Sequence, residues 1–279
     1  MTTRARPARR SGARWPRQGL AAAAFLAFFL GPFAWQALTS VTPEPELGRA
    51  WPSALTLANY AELLRDGDFG RAIVNSLAVA AASTSLALAV GAPAAFAIAK
   101  LEFRGRRLLL GAALAVSMFP PIATVSPLYV TLRSLGLLDR LAGLVLPNTT
   151  FALPLTLWLL TNTFRAIPTE IYRSAQADGC TPFQAFRWVF LPLAAPGLAT
   201  AAILVFITAW NEFLFALTFI ATPSRRTVPV AIALFAGEHL EPWGQIAAAS
   251  ILATLPLAVL TFAFQRRIVS GITAGAVKG

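Results

Sequence analysis

The chain has 279 residues, of which 57% are hydrophobic and 13% charged, and it carries a formal net charge of +11. That balance excludes an ordinary soluble domain and a disordered chain, and points to a polytopic membrane protein. A single cysteine, Cys180, excludes any intrachain disulfide.

The expected fold is all-α, with six transmembrane helices. A basic tail, 1–19, precedes a first apolar span from Leu20 to Leu38. An Arg-rich start before an apolar run also describes a cleaved signal peptide, but this run is longer than a typical signal core. Windows of about 20 apolar residues then give Phe69 to Ala99, Leu108 to Leu132, Ala142 to Phe164, Leu191 to Ile220 and Gln245 to Phe264, followed by a tail, 265–279. Pro120, Pro121 and Pro127 interrupt the third span, where a kink would free backbone carbonyls beside a pathway. The fifth span holds Trp210, Asn211 and Glu212. A carboxylate and an amide inside an apolar span line a pore or gate, join two halves of a pore, or sit near the outer interface.

Sixteen of the 23 lysines and arginines fall in the N-terminal tail, the segment from Lys100 to Arg107, the segment from Arg165 to Arg187 and the C-terminal tail. The positive-inside rule places these segments, both termini included, in the cytoplasm. Eight of the 12 acidic residues lie in the opposite loops. The positive charge therefore reports topology and attraction to anionic lipid, with no nucleic acid as partner.

Between the fourth and fifth spans lies a water-compatible segment, 165–190, with its own helix punctuation. Pro168 suits a first helical position and Glu170 places negative charge near the positive helix end, so a helix is expected from Thr169 to Asp178. Gly179 ends it in a left-handed cap. Thr181, Pro182 and Gln184 restart a helix as a capping box, and Pro192 and Pro196 disturb the backbone beyond it. Phe183, Phe186 and Phe190 share one face of this second helix, an aromatic surface able to enter a groove. Considered alone, such a pair could also lie on lipid as an interfacial element. A DNA-reading helix-turn-helix is disfavoured because the flanking spans would hold the pair against a bilayer.

The chain lacks an energy source of its own. A phosphate-binding loop needs Gly-Lys-Ser/Thr, whereas the only lysines are Lys100, after Ala99, and Lys278, after Val277. Ion-coupled carriers bury several ionisable groups, and only Glu212 lies deep in a span. Glu238, His239 and Glu241 offer too few nitrogen or sulfur ligands for zinc, so no metal site is expected. No credible Ser-His-Asp spacing exists, and the chain is not expected to be an enzyme.

The hairpin resembles the cytoplasmic coupling loop, or EAA loop, of ABC-importer permeases: Glu-Ala-Ala, three residues, Gly, then an aliphatic-Leu-Pro. Ser174, Ala175, Asp178, Gly179, Leu191, Pro192 and Pro196 match in register. Arg173 stands where the family usually has glutamate, Ser174 replaces the first alanine, and Glu170 lies one turn earlier. The resemblance extends through Leu57-Ala58-Asn59-Tyr60, Asn75-Ser76, Phe103-Arg104-Gly105, Met118-Phe119-Pro120-Pro121, Trp210-Asn211-Glu212-Phe213 and the final Thr273 to Gly279. These look like the carbohydrate branch, similar to maltose-type permeases and to trehalose/maltose-type disaccharide importers.

The resemblance implies a permease subunit in a bacterial inner membrane that forms half of a translocation pore working by alternating access. Its implied partners are a companion permease, two ABC ATPase subunits that bind ATP and Mg, and an extracytoplasmic sugar-binding protein. No cofactor is expected on this chain. Glu170, Arg173, Ser174, Ala175, Asp178, Gly179, Thr181, Phe183, Phe186, Leu191 and Pro192 are the expected ATPase-docking residues. Pro120, Pro121, Trp210, Asn211 and Glu212 are the pore candidates, and the loop from Ala221 to Gly244 is the candidate contact for the binding protein. The alternatives are an ABC permease for another solute, such as glycerol phosphate or an oligosaccharide, an ion-coupled carrier, and a membrane scaffold.

Overall fold

The computed structural model describes residues 15–49, 51–65, 67–235 and 242–276. Expectations resting on residues 1–14, on Glu238, His239 and Glu241, and on the last three residues lie outside the described residues. Every regular element among the described residues is helical: α1 (Trp15–Ser40), α2 (Ala58–Arg65), α3 (Asp68–Lys100), α4 (Arg106–Val116), α5 (Pro121–Ser134), α6 (Leu141–Ala166), α7 (Thr169–Ala177), α8 (Pro182–Gln184), a π-helical turn (Ala185–Phe190), α9 (Leu191–Leu193), α10 (Ala195–Trp210), α11 (Leu214–Phe219), α12 (Val228–Ala233) and α13 (Trp243–Ala276).

Four helices are long and apolar enough to cross a bilayer unbroken: Gly19–Ser40, Asp68–Lys100, Leu141–Ala166 and Trp243–Phe264. Two further helix pairs are apolar enough when taken together but are sharply bent. α4 and α5 meet at 95°, and the segment Pro182–Leu193 meets α10 at 80°, so the total is six if each pair counts once. This corrects the expected third and fifth spans. Pro120 and Pro121 do not merely kink a helix: Pro120 is the extended N-cap of α5 and Pro121 its first residue, which starts a new helix instead of continuing the old one. The fifth span likewise stops at Trp210 and restarts at Leu214. α13 runs past Phe264 to Ala276 as helix, into the segment expected to be a tail.

The centre of the fold is the packing of α3 on α6, with α10 against both and α1 along α13. Small residues make the α3–α6 approach possible. Ala87 and Ala95 are fully buried, and a Cβ added at Gly91 would stand 2.7 Å from the Thr156 methyl. Lipid gives helices little hydrophobic reason to associate, so close backbone approach supplies the packing. Large apolar surfaces face outward, among them Phe25, Phe28 and Phe33 on α1 and Met118 and Phe119 at the α4–α5 bend.

At the end of the bundle away from the hairpin, single side chains tie down irregular backbone. The Asn59 amide donates to the Ser40 and Thr42 carbonyls, both at 3.0 Å. The Asn75 amide donates to the Ser224 and Arg226 carbonyls, and the Ser76 hydroxyl accepts from the Val228 N–H. Near the bilayer, unpaired carbonyls are expensive, and these contacts satisfy them.

Asp139 anchors a second clasp. Its carboxylate accepts from the Thr222 hydroxyl, the Thr222 and Ala221 N–H groups and Arg225, the Arg225 contact being 3.0 Å. The Thr222 hydroxyl foremost, with these N–H groups and the Arg225 charge, holds the carboxyl below the ordinary carboxylate range. A depressed folded-state pKa stabilises the clasp above the unfolded value, about 3.9, and that contribution is lost as pH falls through the lower folded value. A spin label at Ser224, in a chain carrying C180S, is therefore expected to stay ordered through neutral pH and to loosen in strong acid. In D139N the label is expected to be looser at neutral pH and insensitive to acid; equal mobility in both chains would contradict the clasp.

A helical hairpin as candidate functional site

The hairpin begins where α6 stops at Ile167, whose extended backbone turns the chain into α7. Pro168 is the N-cap and not the expected first helical residue, and Thr169 takes the first position, with Glu170 in the first turn. α7 closes at Ala177, one residue short of expectation, with Asp178 as C-cap. Gly179 follows at φ +85°. The Cys180 N–H reaches back to the Ala175 carbonyl at 2.9 Å and the Gly179 N–H to the Gln176 carbonyl at 3.0 Å. Those two bonds make a Schellman cap, which requires a left-handed residue at Gly179.

The next helix starts on the expected capping box. The Gln184 side chain accepts from the Thr181 N–H at 2.8 Å, and the Thr181 hydroxyl accepts from the Gln184 N–H at 3.3 Å. The helix then widens into the π turn before Pro192. A proline ring clashes with the carbonyl four residues earlier in an α-helix, and a wider turn relieves that clash.

The hairpin packs on the bundle through aromatic rings. Phe96 of α3 is surrounded by Phe164 at 5.9 Å, Tyr172 at 5.9 Å, Phe186 at 5.4 Å and Phe190 at 5.1 Å between ring centres. Three of these pairs are edge-to-face and the Phe186 pair is tilted; such pairs add to the burial of large rings and favour particular mutual orientations. The expected aromatic docking face is corrected here. Phe186 and Phe190 are buried at 7% and 0% exposure, and Phe183 alone of the three stands out, at 69%. Ala175 is also buried in this cluster.

What remains on the surface is Glu170, Arg173, Ser174, Asp178, Gly179, Thr181, Phe183 and Pro192, with Leu191 half-buried. Glu170, Ser174 and Asp178 recur every four residues, and with Ala175, Ile171 and Val189 they line a cleft of about 310 Å³. Arg173 is exposed and is not among the residues that line it. The hairpin thus offers a shallow cleft with two carboxylates in its lining and, on the second arm, one exposed aromatic ring, on two short capped helices packed against α3 and α6. Rigid capped elements transmit displacement, whereas an irregular loop would absorb it.

The pore candidates separate into two places. Pro120 and Pro121 form the exposed α4–α5 bend. Trp210 is 2% exposed and stacked on Phe206 at 6.0 Å, so it belongs to the core. Asn211 is exposed, its amide donating to the Ile207 carbonyl at 2.8 Å. Trp210 and Asn211 border a cavity of about 290 Å³ with Val228, Ile232, Thr254 and Leu257. The Glu212 carboxylate accepts from the Phe215 N–H at 2.7 Å and the Ala216 N–H at 3.1 Å, capping the first turn of α11 from the position before its N-cap residue, Phe213. Sequence reasoning missed that role. Its signal is a Glu two residues before the apolar helical run that starts at Leu214, inside the short break that follows Trp210.

Residues 87–274 match the family described as "Binding-protein-dependent transport system inner membrane component". A relative named as a trehalose transport system permease protein, SugB of Mycobacterium tuberculosis, is 49% identical over 256 residues, covering 90% of this chain and 93% of the relative. A sulfoquinovosyl glycerol transport system permease protein, SmoH of Agrobacterium fabrum, is 41% identical over 268 residues, covering 95% and 94%. The fold superposes with a TM-score of 0.79 on a chain of a bacterial ABC transporter involved in import of the acidic polysaccharide alginate, at 21% identity and covering 94% and 99% of the two chains. With the match of family and fold running through the bent spans and the hairpin alike, this chain belongs to the binding-protein-dependent transport system inner membrane component family.

Proposed function

We propose that the chain is one of the two pore-forming permease subunits of an ATP-driven importer whose solute is a small saccharide, a disaccharide such as trehalose or maltose. The observation that carries the solute class is the 49% identity, over 90% of this chain, to a trehalose permease. The second reading, a sugar glycoside carried by the same kind of machine, is favoured by the 41% identity to a sulfoquinovosyl glycerol permease.

In this reading both termini and the hairpin face the cytoplasm, in keeping with the placement of the basic residues. ATP and Mg bind to two partner ATPase subunits, which dock on the exposed hairpin residues. Glu170, Ser174 and Asp178 present the cleft, Arg173 and Phe183 offer exposed side chains outside its lining, and Thr181, Gly179 and Pro192 shape the hairpin. Phe186 and Ala175 act from inside, by fixing the hairpin to the bundle. Closure of the ATPase pair moves the hairpin, the bent spans follow, and the pore opens to the binding protein outside, which meets the loop from Ala221 to Gly244.

The test is ATP hydrolysis by the reconstituted complex, with its companion permease and ATPases, titrated with binding protein loaded with trehalose, maltose or sulfoquinovosyl glycerol. Stimulation by a disaccharide-loaded form is expected. Stimulation by the glycerol glycoside alone would select the second reading, and none by any loaded form of an intact complex would contradict both.

A further inference from the structure

We infer that Lys100 is a positioning residue for energy coupling, holding the hinge of the hairpin to the end of α3. This rests on the reading of the hairpin as the element that the ATPases move. Lys100 is the last residue of α3 and is 7% exposed. Its ammonium donates to the carbonyl of Ile167, the residue at which α6 gives way to the hairpin. It also lies 5.5 Å from the centre of the Phe190 ring, in the π turn of the hairpin's second arm. One side chain therefore joins three elements that otherwise meet only through apolar packing: α3, the α6–α7 hinge and the returning helix.

Filling the volume alone does not call for a lysine at this place. Burying an ammonium costs hydration, and an apolar side chain of similar length would fill the same volume without that loss. Burial of apolar surface is itself non-directional, and the ring cluster around Phe96 orients side chains without engaging the hinge backbone at Ile167. A charge-assisted hydrogen bond to one carbonyl, with the ring face beneath the cation, fixes both distance and direction. The Ile167 carbonyl lies outside the helical ladder of α6, and the ammonium supplies the partner it needs. A push on α7 is then delivered to α3, the helix that packs on α6 and α10, instead of being spent in bending at Ile167. Lys100 touches neither solute nor nucleotide; it acts through the hinge.

The experiment uses the whole complex in vesicles and reads solute transported per ATP hydrolysed, with the assembled amount checked by copurification. K100M is expected to assemble, to hydrolyse ATP, and to lower that ratio about tenfold, the weight of one charge-assisted hydrogen bond. K100R, which restores the cation and donor, is expected to recover most of the ratio, a rescue that a volume-filling role would not require. Should K100M fail to assemble, K100Q is read instead, with spin labels at Glu102 and Gln176 in a chain carrying C180S. A broadened distance distribution with a lowered ratio supports the hinge role. An unchanged ratio in assembled K100M, or an unchanged distribution and ratio in K100Q, overturns it. G179V separates the two levels: if it lowers the ratio while Lys100 variants do not, the lysine role alone fails. If neither changes the ratio, the hairpin reading itself fails.

Discussion

In G179V the complex is expected to assemble and hydrolyse ATP while solute uptake drops to a small fraction of that of the unchanged chain. Gly179 sits at φ +85° in the Schellman cap between the two hairpin helices. A Cβ built there meets nothing within 4 Å, so the cost of substitution is conformational and not steric crowding by neighbours. A β-branched residue forced into the left-handed region costs about 1–3 kcal/mol. The whole chain need not absorb that cost by unfolding, because α7 can unwind its last turn instead. The angle between the two arms is then lost, and with it the shape of the cleft formed by Glu170, Ser174 and Asp178. Asparagine visits the left-handed region far more readily than valine. G179N is therefore expected to keep most of the uptake, and an uptake ranking in which valine equals asparagine would contradict the cap as the source of the effect.

The second large effect is expected at Glu212. Both carboxylate oxygens cap α11, one on the Phe215 N–H and one on the Ala216 N–H. α11 has only six residues; Phe215, Ala216 and Phe219 pack it into the core, and the Glu212 carboxylate supplies the acceptor for its first-turn N–H groups. Removing a helix cap costs about 1–2 kcal/mol, which converts to about tenfold in the population of the ordered arrangement. E212A is expected to lower uptake by that order, with the loss seen also as faster proteolysis near residue 213. E212Q separates capping from a role of the charge in the solute path. A glutamine oxygen still accepts one of the two N–H groups, so E212Q is expected to fall between the unchanged chain and E212A. If E212Q is as impaired as E212A, the negative charge itself is what the pathway uses.

Glutamate 212 also illustrates what the sequence could convey. Its position in an apolar run marks it as costly and therefore purposeful, but two purposes share that signature, a pore group and a cap, and only the break at Asn211 to Phe213 distinguishes them. The same holds for the fifth span. Hydropathy averages over a window, and a three-residue break inside thirty apolar residues leaves the average nearly unchanged. Pro120 and Pro121 were visible as an interruption, yet proline specifies where a helix starts and not the 95° by which it turns. The hairpin was the most legible part because its signals are local. Gly179, Thr181 and Gln184 act on backbone atoms within three or four residues, and their caps form as the sequence implies. The aromatic face was misread for the opposite reason. Periodicity shows that Phe183, Phe186 and Phe190 lie near one another, but whether they face a partner or Phe96 depends on a helix some ninety residues away in the chain. Lys100 and Asp139 gave no sequence signal at all. A single charge at a helix end is ordinary, and only the tertiary fold brings it to a hinge carbonyl or to a loop 82 residues distant.

In the proposed reading, an ATPase engages this permease at the exposed hairpin. The most direct measurement places a photo-activated crosslinking residue at Phe183, which is 69% exposed on the hairpin's second arm, in membranes holding the complete complex. A covalent adduct between this chain and the ATPase subunit is expected, weakened when nucleotide changes the ATPase pair and absent when the crosslinker is moved to Leu57, at the opposite end of the bundle. Adducts only with lipid or with the companion permease, in a complex verified to contain its ATPases, would contradict it.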